Sequence, residues 1–255
     1  MAFKLTIIIY ELPFANLNQR LFPRLVSVMQ CFTFKGDKKD PILSGTPTIR
    51  QIADKNDLAG IMDRLTHCLS EAFYNDPYYV YIMPNNSKRR SQLIWWFRIL
   101  LTYGIRNGLI FVTSDLKGAS IWFGPEKPTL DNIELALSGL IYYPFKVGFA
   151  NFLRMLDVST QWEKIHLKQP KRNYYLMVVG VDPAYQRKGY GSLLMQNVLN
   201  KADQEGVICY LETVTTGDLL FYKKHDFIPI ADKSFGGTNQ YWILTRQPRI
   251  QSSLP

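Results

Sequence analysis

Residues 174–205 constrain the fold of this chain more than any other stretch, because they spell a strand, a turn and a helix in immediate succession. Residues 174–181 form a continuous apolar and aromatic run rich in valine, the pattern of a strand buried on both faces. Pro183 cannot donate a backbone hydrogen bond and ends that strand. From Ser192 onward, Leu193, Leu194, Val198, Leu199 and Ala202 recur at helical spacing. Between strand and helix lies Gln186-Arg187-Lys188-Gly189-Tyr190-Gly191. The first turn of a helix leaves backbone N–H groups without partners, and its dipole favours negative charge there. A basic, glycine-punctuated turn leading into a helix is therefore an anion site. Gly189 and Gly191 lack the Cβ atoms that would hold a bulky pyrophosphate away from the backbone.

Two common phosphate loops are excluded. No Gly-Lys-Ser/Thr closes the turn, as a P-loop requires. Position 194 is Leu, so the third glycine of a dinucleotide fingerprint is missing. The turn does match Gln/Arg-x-x-Gly-x-Gly/Ala after a strand that ends in Val181-Asp182-Pro183. In this strand–loop–helix setting the stretch resembles the GNAT superfamily of N-acetyltransferases. A second match follows. Leu211-Glu212-Thr213 and Phe221-Tyr222-Lys223-Lys224-His225-Asp226-Phe227 look like the fifth strand and following helix of such enzymes, with Asp226 where the family usually has Gly. The helix end there needs a left-handed residue, which Asp tolerates better than most. This end of the chain is also similar to puromycin N-acetyltransferase-like members. The resemblance covers residues 46–246 and is carried by residues 174–227.

It implies a single-domain α/β fold with a mixed, splayed central sheet flanked by helices, and acetyl-CoA as co-substrate. The family places the coenzyme pyrophosphate on the loop, which maps to Gln186, Arg187, Lys188, Gly189, Tyr190, Gly191 and Ser192. It places an oxyanion-binding backbone N–H on the fourth strand, at Val179, Gly180 and Val181. Asp218, expected to cap the helix after the fifth strand, joins the coenzyme side. Tyr222 is the candidate general acid to the leaving thiolate, and its alternative role is packing. Glu212 is the leading general base, directly or through water, and its alternative role is structural. Glu71 and Asp76 are lesser candidates for holding an ammonium. His225 is expected on the solvated side of its helix. His67 and His166 have no Cys, Asp or Glu at ligand spacing, so no metal site is expected.

Composition bounds the remaining possibilities. The 255 residues suffice for one large domain or two small ones, and 47% hydrophobic with 20% charged residues fits a globular protein with a substantial core. Cys31, Cys68 and Cys209 show no paired spacing, which fits a reducing, cytoplasmic setting. The formal charge is +9, but Lys and Arg are dispersed and no nucleic-acid motif appears. Six of them fall between Lys164 and Lys188 against the single acid Asp182, where a polyanionic coenzyme would use them. Neither nucleic acid nor membrane is expected as a partner, and the amine acceptor is unnamed by any motif. A non-catalytic acyl-CoA-binding module and a basic nucleic-acid binder are the rival functions.

The other elements follow in order. Residues 1–45 read as an extension with a short apolar run at 5–10, residues 46–246 as the acetyltransferase domain and residues 247–255 as a tail. A strand is expected near residues 46–52, a helix over 58–73 capped by Asp54 or Asp57, and a second helix over 87–106. An aromatic-rich segment, 77–83, separates the helices. A hairpin follows over 109–113 and 119–123. Residues 130–156 are expected to form two helices broken at Pro144, as a lid or as added core. Further strands are expected over 207–214 and 241–245, with a helix over 219–224 between them.

Overall fold

A computed structural model describes residues 47–249. The expected extension over residues 1–45 and the end of the tail lie outside the described residues. The described chain opens with a short strand, β1 (Ile49–Gln51), and two helices, α1 (Lys55–Ala72) and α2 (Pro77–Ile82). Asp54 caps α1 by accepting from the N–H groups of Asn56 and Asp57. The aromatic-rich segment is thus helical, started by Pro77 and capped by Asp76. Proline suits the first turn because its missing N–H would have no helical partner there. Helix α3 (Asn86–Asn107) leads into the hairpin β2 (Leu109–Thr113) and β3 (Gly118–Phe123).

The insertion departs from expectation. It forms α4 (Asn132–Leu137), a 3-10 turn (Leu140–Tyr142), α5 (Tyr143–Val147) and α6 (Phe149–His166). Pro144 breaks nothing; it sits in the first turn of α5. The breaks fall at Gly139 and Gly148, whose φ angles of 127° and 100° turn the chain out of the helical path.

The central unit is β4 (Asn173–Val181), a 3-10 turn (Pro183–Tyr185) and α7 (Tyr190–Glu205). After it come β5 (Ile208–Thr213), α8 (Thr216–Lys223), β6 (Ile228–Phe235) and β7 (Asn239–Arg246). The seven strands form one sheet in the order β1-β2-β3-β4-β5-β7-β6. Only β4 and β5 pair in parallel, and every other neighbouring pair is antiparallel. The apolar stripe of α7 packs on the sheet, with Leu194, Met195, Val198, Leu199 and Ala202 buried against Leu176, Cys209, Leu211 and Leu244. Each larger side chain of that stripe contributes about 1.5–3 kcal/mol by leaving water. Asp226 adopts φ 62°, the left-handed conformation its position requires, and pairs with Arg249 at 2.5 Å. No described helix is long and apolar enough to cross a membrane.

Candidate active site

Strands β4 and β5 part company early. Their pairing covers Asn173↔Ile208, Tyr174↔Cys209 and Tyr175↔Tyr210 and then stops. Beyond that rung, β4 continues on β3 as far as Val181, and β5 continues on β7 as far as Thr213. The two strands diverge into a forked slot, one wall from each. Val179, Gly180 and Val181 lie on the β4 wall beyond the fork, where no strand from the β5 side covers the backbone. A β-bulge interrupts β4 at Met177, because Ile121 pairs with Val178 while Trp122 pairs with Leu176. Bulges re-aim the backbone locally. Continued pairing would have set Met177 opposite Glu212, so the bulge lies across the slot from that carboxylate. No apolar pattern reveals a single extra residue, and sequence reading missed it. His166 of α6 packs on this last rung: its ring stacks on Tyr210 at 4.2 Å and 8° and lies 4.7 Å from Tyr175. Burial holds its imidazole below the ordinary pKa, which favours the neutral ring.

The loop stands at the open end of this slot. Arg187 has φ 59° and Gly189 has φ 86°, so the chain passes through two left-handed residues within three positions. Such turns gather N–H groups into an anion-binding concavity. A positive φ is costly for Arg and is tolerated at functional turns. Gly189 is the N-cap of α7, and no side chain caps the helix. A Cβ at Gly189 would meet nothing within 4 Å, so that face of the loop is open. Gln186 braces the loop by donating to the Val181 carbonyl at 3.1 Å. Lys188 donates to the Ala184 carbonyl at 2.9 Å and lies over the Tyr185 ring.

Four expected coenzyme residues have additional structural partners. The buried Tyr190 phenol donates to Asp115 at 2.8 Å and ties the loop to the β2–β3 turn. A Cβ at Gly191 would come within 3.0 Å of the Phe221 ring, so its bareness lets α8 pack on α7. Likewise a Cβ at Gly180 would meet Leu69 at 2.7 Å and Phe73 at 2.8 Å, so this glycine admits α1. Ser192 Oγ lies 2.9 Å from His225 Nε2, which makes His225 a half-buried partner of α7 rather than a solvated residue. Burial also lowers its pKa.

Asp218 does not cap its helix. Thr215 is the N-cap of α8 and accepts from the Asp218 N–H at 3.0 Å, while its hydroxyl donates to the Asp218 carboxylate at 2.5 Å. Asp218 therefore lies in the first turn, where a carboxylate suits the helix dipole. Tyr222 is buried one turn later. Burial, with the charges of Asp218 and Asp76 beside it, raises its phenol pKa and keeps it protonated.

Glu212 retains some accessible surface yet is ringed by protein, the position of a group at the bottom of a cleft. Burial pushes its carboxyl up to about 7, against the pull of the Tyr210 and Tyr175 phenols. Asp76 is also pushed up to about 7 by burial, although its Oδ1 accepts from the Tyr78 and Tyr79 N–H groups at 2.9 and 3.3 Å. Glu71 stands apart, held by Arg90 at 2.5 Å on the surface. Asp76, Asp218 and Tyr222 are thus near enough to act on one another's charge, Tyr78 feels both Asp76 and Glu212, and Glu71 is left out. Among the described residues no group of three or more His, Cys, Asp or Glu could hold a metal ion.

Comparison with known proteins adds independent findings. Residues 146–227 match the acetyltransferase (GNAT) family. An uncharacterized N-acetyltransferase of Schizosaccharomyces pombe is 28% identical over 196 residues, covering 72% of this chain and 78% of the relative. A histone acetyltransferase and related acetyltransferase from Corynebacterium glutamicum has a similar fold, with a TM-score of 0.53 at 22% identity over 82% of this chain and 99% of that one. An N-acetyltransferase of Staphylococcus aureus gives a TM-score of 0.50 at 14% identity over 78% of this chain and 99% of its own. The family match runs through the fork, the loop and the helix bearing Tyr222, and the chain is accordingly an acetyltransferase with a GNAT-family domain.

Proposed function

We propose that the protein transfers an acetyl group from acetyl-CoA to a primary amine by direct attack within the forked slot. The observation that carries this reading is the early parting of β4 and β5 after Tyr175 and Tyr210. It leaves strand edges against which an extended pantetheine arm can pair as an added strand. The coenzyme pyrophosphate then lies on the N–H groups of residues 186–192, with Arg187 and Lys188 adding charge. The oxyanion is received by a backbone N–H on the β4 wall, along Val179, Gly180 and Val181.

Glu212 acts as general base. A carboxyl pushed up to about 7 is a stronger base than an ordinary one and still ionises near neutral pH. The ammonium gives one proton to Glu212, and the free amine attacks the thioester carbonyl. A C–N bond forms, the C–S bond breaks and its electron pair leaves on sulfur. Tyr222 protonates the thiolate and is itself reprotonated by the second proton lost from nitrogen. Asp218 repels an anionic donor, so its place in this reading is on the acceptor side. Buried free thiols at Cys68 and Cys209 support a reducing, cytoplasmic setting.

The test is a panel of amines with acetyl-CoA, following free thiol. Acetyl-CoA binding without turnover on any amine would favour a non-catalytic binding module. A steeply salt-dependent affinity for DNA, indifferent to coenzyme A, would favour a nucleic-acid binder.

A further inference from the structure

Eight of the eighteen Asp and Glu side chains among the described residues pair with a cation. Asp203 pairs with the buried Arg246 at 2.7 Å, and Asp57 pairs with Arg50 at 2.6 Å. Glu212, Asp76 and Asp218 have no Lys, Arg or His within ion-pair distance among the described residues. The chain carries a formal charge of +9, so cations are not scarce. Asp218 is exposed, but Glu212 and Asp76 are half-buried, and enclosing these two without a counter-ion is costly. The missing positive charge is one that a ligand can bring.

A second observation is independent of the acids. The Tyr241 side chain is 0% exposed and its hydroxyl has no hydrogen-bond partner, while the equally buried Tyr210 phenol favours the charged form of Glu212. The Trp162 indole N–H is likewise buried without a partner. Strand register sets these groups around Glu212. Glu212 pairs with Ile243, and Tyr210 and Tyr241 each lie two residues along their strands, on the same sheet face. Helix α6 lays Trp162 over Tyr241 at 5.9 Å, and Tyr78 of α2 lies 4.9 Å from Trp162. Glu212 thus lies on the floor of an aromatic box in which the Tyr241 hydroxyl and the Trp162 N–H are unused. Asp76 accepts from the Tyr78 N–H at 2.9 Å, so Tyr78 links the Asp76 end of α2 to the box, and both Asp76 and Glu212 raise its phenol pKa. Asp218 belongs with the Asp76 centre, since its charge raises the Asp76 pKa and both act on Tyr222. Aromatic faces attract cations.

We propose that the acceptor is a small alkyl diamine without a carboxylate, its attacking nitrogen beside Glu212 and its second ammonium against Asp76 and Asp218. This rests on the acetyl-transfer reading of the same site. The second ammonium neutralises charge and is not consumed. A carboxylate on the acceptor would meet two like-charged centres and no cation.

The experiment compares three four-carbon amines with acetyl-CoA: putrescine, n-butylamine and γ-aminobutyrate. Thiol release is followed at fixed ionic strength, and acetyl-CoA binding is measured separately by calorimetry. Putrescine is expected to exceed n-butylamine in kcat/KM by about tenfold or more, the scale of a charge-assisted contact. Turnover of γ-aminobutyrate is expected to be lower still. Asp76→Asn keeps the amide oxygen that caps α2 but removes the charge, and is expected to narrow the putrescine to n-butylamine ratio. Equal kcat/KM for the two amines, or preference for γ-aminobutyrate, overturns the diamine class and leaves acetyl transfer standing. Acetyl-CoA binding with no turnover of any of the three also overturns it. Failure of acetyl-CoA to bind at all overturns both readings.

Discussion

Tyr175 and Tyr210 face each other on the last rung at which β4 and β5 pair. Everything proposed for the chemistry lies on one side of that rung, and continuous core lies on the other. A parallel pair inside a mostly antiparallel sheet needs a crossover, and α7 provides it. Its N-terminus therefore emerges at the open end of the fork, where the loop can meet a ligand that runs into the slot.

Tyr222→Phe keeps the ring among its neighbours and removes only the hydroxyl. General-acid catalysis typically supplies 10² to 10⁴ in rate, so turnover is expected to fall by about 10²-fold. Affinity for acetyl-CoA is expected to change little. Steady-state kinetics with direct binding measurements check this, and full turnover in the variant would reduce Tyr222 to packing.

Glu212 links activity to pH and stability. Its folded pKa is raised to about 7 from an ordinary 4.5, so the native state binds more protons than the unfolded state between those values. Its stabilising contribution is therefore present below the lower value and is lost as pH rises through the upper one. Glu212→Gln is expected to gain stability relative to the parent between pH 5 and pH 8, on the order of 1–3 kcal/mol. The parent's kcat/KM should rise with pH through about 7, and the variant should lose that step. Denaturant titrations at both ends of the range, with a pH–rate profile, decide it.

The two loop glycines should fail differently. Gly189→Val meets no neighbour, but β-branching disfavours its left-handed φ of 86°. It is expected to fold and to weaken coenzyme A binding by well over tenfold, because the branch fills the open face of the loop. Gly191→Val drives against the Phe221 ring and is expected to lower stability as well as affinity. Calorimetry with thermal melts separates the two. Unchanged affinity in a folded Gly189→Val would remove the loop from the site.

Asp226 offers a test away from the chemistry. Asp226→Gly relieves a left-handed residue but loses the exposed pair with Arg249, so the net change should lie within about 1 kcal/mol. Asp226→Val should cost about 1–2 kcal/mol, since a β-branched residue resists that conformation. Urea midpoints check both.

Legibility in the sequence followed the strength of local pattern. β4, the turn and α7 could be read because an apolar run, a proline, two glycines and a helical stripe all agree over residues 174–205. Helix α3 was readable within a residue at either end. The insertion was not, because Pro144 is a breaker inside a helix and harmless in a first turn, and sequence alone does not say where the turn begins. Asp218 looked like a cap because Thr215, three residues earlier, is an equally good one. The aromatic box around Glu212 was invisible for another reason. Tyr78, Trp162, Tyr210 and Tyr241 come from four separate elements, and only the register of β5 with β7 and the seating of α6 bring them together.

The His166 ring, flat against Tyr210 at the foot of the fork, has a consequence for donor choice. In the proposed acetyl transfer, a donor held by its phosphates on the loop would meet this stacked pair at its other end and be measured along its length. The slot is then a ruler, and each extra methylene on the acyl group must be accommodated at its closed end. His166→Ala shortens the stop and should let propionyl and butyryl donors gain on acetyl.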